Sequence, residues 1–283
     1  CYVEEIAGEA DINKGVFDGV SNTENPNEIT LDSSTVQNNF VWVANGDSNN
    51  VTKINSLTGE SFGPFPVEEY PSRTSVESDG SVWVANRHSH SITKLASTGM
   101  FQFRVELDAD CQPRGIALDK DGNAWVGCFG IRETVTGSDG YVYKINPQGQ
   151  IFEGYPYHTN IPIYGLAIDK RGFLWNSRLD DFYSCDNDPS LNCVNEYAKI
   201  FKIDTNKNIN DTGYFKSFPF NYQVNGMVVD KDNNIWFAGW GDNDIKKVVY
   251  NEISDTISVT SYPAVYEGQT LLAGRGIAID SND

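Results

Sequence analysis

An acidic residue followed six positions later by tryptophan recurs along this chain, and few architectures accommodate that pattern. Residues 113–127, 163–177 and 224–238 each hold a β-rich run ending in aspartate, a tight polar turn, and a second run with tryptophan. The pairs are Asp119/Trp125, Asp169/Trp175 and Asp230/Trp236. Residues 71–85 repeat the unit with Glu77 and Trp83, and residues 26–44 repeat it with a longer turn, from Asp32 to Trp42. Residues 274–283 open a sixth copy at Asp280. The closing acids lie 45, 42, 50, 61 and 50 residues apart, a period that belongs to repeat architectures.

Each tryptophan run is followed by a loop and a third run: Val51-Thr-Lys-Ile, Ile92-Thr-Lys-Leu, Tyr141-Val-Tyr-Lys-Ile, Ile200-Phe-Lys-Ile and Ile245-Lys-Lys-Val. A turn such as Asn146-Pro-Gln-Gly leads to a fourth run, Ile151-Phe-Glu-Gly-Tyr in the third copy. Four antiparallel strands per repeat, alternating in polarity, make a twisted sheet that packs face to face with its neighbours. An all-β propeller satisfies both the period and the fixed acid-to-tryptophan spacing, which a two-sheet sandwich does not require. The sequence predicts five complete blades and the start of a sixth over residues 26–283, in a whole chain of six or seven blades. Residues 1–25 carry no tryptophan strand and form an irregular segment or a closing strand.

Lys and Arg total 21 against 39 Asp and Glu, a net charge of −18 that repels a phosphate backbone and excludes nucleic acid as a partner. No apolar run is long enough to span a bilayer as a helix. Of five cysteines, Cys185 and Cys193 bracket a short polar loop, and Cys111 and Cys128 lie on the two arms of one hairpin. Disulfides at both places would belong to an oxidising compartment. Two sequons, at Asn50 and Asn210, are compatible with export, so the expected location is extracellular, periplasmic or cell surface. Cys1 is either a candidate lipid attachment point or simply where the sequence begins.

The runs Gly115-Ile-Ala-Leu-Asp119, Gly122-Asn-Ala-Trp-Val126 and Gly276-Ile-Ala-Ile-Asp280, each copy continuing into a Lys-bearing strand, resemble NHL-type propellers and the related virginiamycin B lyase-like family. The resemblance covers about residues 26–280 and implies the propeller; the superfamily hosts lyases, lactonases and binding scaffolds. A lyase of that type implies channel-face histidines and metal-holding glutamates. Here the loops after the later tryptophans read Asn176-Ser-Arg and Ala238-Gly-Trp, and no histidine follows His158. No nucleophile elbow, zinc-protease, P-loop or dinucleotide motif is present. The expected function is therefore non-enzymatic binding or assembly, with a metal-dependent lyase or hydrolase as the alternative.

In a propeller the first strand of each blade lines the channel. The residues five before each closing acid are Asn27, Ser72, Arg114, Tyr164, Asn225 and Arg275, polar throughout. They are the expected site for a small ligand or protein partner, with Arg114 and Arg275 as fork-shaped anion donors. His88 and His90 alternate along one loop and are candidate metal ligands. Asp186, Asp188, Asp242 and Asp244 are candidate oxygen ligands for Ca2+, although neither pair fits an EF-hand.

Overall fold

The computed structural model describes residues 20–21, 30–31, 39–130, 140–177, 199–220, 222, 224–239, 244–266, 269–270 and 276–279. They form successive antiparallel sheets joined in chain order, as expected of a propeller. The first blade shows Phe40–Asn45, Asn50–Asn55 and Ser61–Pro66. The second is Pro71–Val76, Val82–Asn86, Ser91–Leu95 and Phe101–Glu106; the third is Cys111–Leu118, Ala124–Gly130, Tyr141–Ile145 and Tyr157–His158. The fourth is Gly165–Ile168, Phe173–Ser177, Lys199–Asp204 and Phe215–Pro219; the fifth is Val224–Val229, Ile235–Gly239, Asp244–Asn251 and Thr256–Pro263.

Two details differ from the sequence reading. The fourth strand of the third blade lies at Tyr157–His158, not at Ile151, which makes only an isolated bridge to Ile145. Gly154, at φ +87°, and Pro156, which has no N–H to donate, break the ladder between them. Thr30–Leu31, expected as the inner strand of the first blade, instead pairs with Val20–Ser21.

The acid-to-tryptophan spacing is a hydrogen bond. The indole Nε1 of Trp83, Trp125, Trp175 and Trp236 donates to Glu77, Asp119, Asp169 and Asp230 at 2.6, 3.0, 3.2 and 2.8 Å. The same aspartates accept from backbone N–H groups across their turn, as Asp119 does from Asp121 and Asn123. Directly opposite each tryptophan on the third strand stands a lysine: Trp42/Lys53, Trp83/Lys94, Trp125/Lys144, Trp175/Lys202 and Trp236/Lys247. The ammonium lies over the indole at 4.8–4.9 Å for Lys94, Lys144 and Lys247. Lys94 also reaches Glu77 at 2.8 Å. Acid, indole and amine thus tie three strands of a blade together, and the repeated lysine belongs to this structural device. Trp42 Nε1 is buried without a partner among the described residues; Asp32, its counterpart acid, lies outside them.

Apolar residues from facing sheets form a separate core at each blade interface. Trp83, Ile92 and Val105 meet Cys111, Val126 and Tyr143 between the second and third blades; Trp125 and Val142 meet Leu166 and Phe201 between the third and fourth. Trp83, Trp125 and Trp175 are fully buried, whereas Trp236, on the last complete sheet described, is partly exposed. Cys111 and Cys128 are disulfide-bonded across the hairpin of the third blade. Cys185 and Cys193 lie outside the described residues.

A candidate anion site in the channel

The inner strands of successive blades pack against one another, so their first residues converge at one end of the channel. The inner strands of the second, third and fifth blades begin with an irregularity: pairing shifts between Pro71 and Arg73, between Pro113 and Gly115, and between Val224 and Met227, whereas Gly165–Ile168 pairs in regular register. Such a bulge re-aims the side chain it carries. The next position is glycine in four copies, Gly115, Gly165, Gly226 and Gly276, glutamate in the first, Glu28, and arginine in the second, Arg73. A Cβ on Gly115 would stand 2.8 Å from the Leu166 backbone nitrogen, so glycine there lets two blades close together. The glycines also leave open space toward the axis. A cavity of about 530 Å3 opens at this level, walled by Arg73, Thr74, Tyr164, Asn225, Met227 and Ile277 among others. That size suits a small organic ligand.

The guanidinium of Arg73 lies over the Tyr164 ring at 5.0 Å, and that of Arg114 over the same ring at 5.2 Å. Among the described residues, Arg73 donates to the neighbouring Ser72 carbonyl alone, at 2.8 Å. Among the described residues, the buried Arg114 Nε has no acceptor and the buried Asn225 Oδ1, on the cavity wall, has no donor. Asn225 is held in place through its backbone carbonyl, which accepts from Ser177 Oγ at 2.5 Å. Arg87 adds a third guanidinium beside Arg114, donating to Gln112 Oε1 at 3.1 Å and lying 5.7 Å from the Tyr70 ring. Burial, and then repulsion from Arg87 and Arg73, bring the Arg114 pKa down to about 10 despite Tyr164 and Tyr70. It stays charged at neutral pH, and its charge is under-compensated.

Of the residues read from sequence, Arg114, Tyr164 and Asn225 come together. Ser72 takes another role: its hydroxyl faces the Pro113 carbonyl at 3.3 Å and the Ala85 carbonyl at 3.5 Å, bridging blades two and three. Asn27 and Arg275 lie outside the described residues. Arg73 supplies the second guanidinium instead. Its signal was in the alignment of copies, as an arginine in a column that holds glycine in four copies and Glu28 in the first.

The histidines take separate partners. His88 stacks on Tyr70 with ring centroids 4.3 Å apart, and His90 Nδ1 donates to the Cys111 carbonyl at 2.8 Å. Asp244 pairs with Lys246 at 3.2 Å; Asp186, Asp188 and Asp242 lie outside the described residues. Among the described residues no three His, Cys, Asp or Glu converge on a metal-sized space. No described helix is long and apolar enough to cross a membrane.

The family model described as SMP-30/Gluconolactonase/LRE-like region matches residues 65–266. A chain of the nidogen/laminin complex aligns at 11% identity over 80% of this chain and 76% of its own, with a TM-score of 0.56. Regucalcin from Agrobacterium tumefaciens, described as a calcium-binding protein, aligns at 16% identity over 81% and 72%, with a TM-score of 0.54. Virginiamycin B lyase from Staphylococcus aureus aligns at 18% identity over 87% of each chain, with a TM-score of 0.47. No curated protein matches the sequence.

Proposed function

The chain belongs to the SMP-30/gluconolactonase/LRE-like family, and on that premise we propose that it is a binding protein that takes a small organic anion at the channel mouth. The observation that carries this reading is Arg114: a guanidinium whose buried Nε has no acceptor among the described residues, sharing the Tyr164 ring with Arg73, which lines the open cavity. A folded chain holds such a charge at a cost in desolvation unless a ligand supplies the missing acceptor. Tyr164 would keep both cations in place by its ring face, Asn225 Oδ1 would accept from a ligand hydroxyl or amide, and the apolar wall at Met227 and Ile277 would cover the ligand's carbon frame.

The calcium-binding relative and the lyase resemblance raise the alternative of a metal-dependent enzyme. The described wall does not fit a calcium ion, which needs six to eight oxygens. Two arginines repel a cation where those oxygens would have to stand. We also place the protein in an oxidising compartment, a reading supported by the buried Cys111–Cys128 disulfide.

Calorimetric titration with benzoate and phenyl phosphate tests the binding reading. Arg114→Ala should weaken whichever anion binds by roughly 1.5–3 kcal/mol, the value of one hydrogen bond to a charged group. Equal affinity in that variant would remove Arg114 from the site.

A further inference from the structure

We infer that the channel ligand is a dianion, either a phosphate monoester or a dicarboxylate, and that Arg73 sets the preference for two charges over one. This inference rests on the anion-binding reading above. The guanidiniums of Arg73 and Arg114 share the Tyr164 ring, and those of Arg73 and Arg87 both stand close enough to Arg114 to repel its charge. Among the described residues none of the three forms an ion pair with a carboxylate. In a chain of net charge −18, where the other two described arginines, Arg104 and Arg171, each pair with acids, that concentration of uncompensated positive charge is local and specific.

The three are not equivalent. Arg87 already spends its Nε on Gln112, and its guanidinium lies near the Tyr70 ring. Arg73 and Arg114 converge on Tyr164, with the cavity at Arg73. A single carboxylate offers two oxygens in one plane, enough for one fork. It would leave the second guanidinium desolvated and unpaired. A phosphate monoester presents three oxygens and nearly two charges, and a dicarboxylate presents two separate planes, so either one satisfies both forks. The second copy carries Arg73 where four others carry glycine. Without Arg73 the cavity would carry one fork and no reason to prefer a dianion.

The test compares ligands that differ by one charge and share their carbon frame. At pH 8, phenyl phosphate is titrated against methyl phenyl phosphate, and phthalate against benzoate, with the protein as it stands. At least one dianion should bind roughly tenfold or more tightly than its partner, the ratio that one added charged hydrogen bond supplies at its lower end. The pair that shows the ratio identifies the head group. Arg73→Gly, which supplies the residue four other copies carry, should bring that ratio to about one by weakening the dianion more than the monoanion; Arg73→Gln tests the same point without new backbone freedom. Monoanions that bind as tightly as dianions would overturn this inference and leave the anion-binding reading intact. A ratio that survives both Arg73 variants would overturn the role of Arg73. Failure of all four compounds to bind would overturn both readings.

Discussion

At the scale of single residues, the repeated acid works through its turn as well as through its tryptophan. Burial pushes the Asp230 carboxyl up, but hydrogen bonds from the Trp236 indole, from Asn234 and from the Asp232 backbone outweigh it and hold the group below the usual aspartate range. Asp79 is lowered mainly by the Ser81 backbone, and Asp255 mainly by Lys216. A carboxyl that is more acidic in the folded than in the unfolded chain stabilises the fold above its unfolded pKa of about 4, and that contribution disappears as pH falls through the folded value. Thermal melting should therefore be flat from neutral pH to about pH 5 in this respect and drop below about pH 4. Asp230→Asn should melt lower at pH 7 and lose part of that acid dependence, which a pH series of melting curves would show. A parallel loss in parent and variant would mean that Asp230 titrates normally. The acid-to-tryptophan spacing made this device visible in the sequence. The lysine opposite each indole was visible only as a recurrent Lys, because the loop between the two strands varies and only pairing shows that they meet.

At the scale of elements, the inner strand combines a bulge with a glycine, and the two have different tasks. The bulge aims Arg114 toward Tyr164, and the glycine allows the neighbouring blade to approach. Because the atoms nearest a Gly115 Cβ are the backbone of Leu166 and Gly165, at 2.8 and 2.9 Å, no side-chain rotation can relieve the contact. Gly115→Ala should then destabilise the fold by roughly 1–3 kcal/mol, the usual cost of overpacking, measured by denaturant titration. A neutral effect would mean that the third and fourth blades can separate freely at the axis. The convergence of Arg114, Tyr164 and Asn225 followed from their shared position in the repeat. Arg73 did not follow, since it lies one residue further along a strand whose bulge decides which of two neighbours faces the cavity.

At the scale of the whole molecule, stability is distributed over successive interfaces, each with its own apolar cluster. The Cys111–Cys128 bond closes a loop across the interior of the third blade, with both sulfurs in the core shared with the second. For its separation of 17 residues the chain-entropy model gives about 3 kcal/mol. Replacing both cysteines by serine should cost about that much or more, because two hydroxyls would also enter an apolar core without partners. Unfolding curves of the double variant against the parent measure the difference, and an unchanged midpoint would make the bond incidental to stability.

The sequence alone determined the blade: its period, its strand order, the acid-tryptophan pair and the Cys111–Cys128 bond, all of which depend on residues close in the chain or repeated along it. Only the tertiary structure decided the site. Arg73, Arg87, Arg114, Tyr164 and Asn225 come from five loops or strands of four blades, and their distances depend on bulges and on how closely glycines let the blades pack. Periodicity reports which residues occupy equivalent places, but the charge balance at the channel depends on which of them meet.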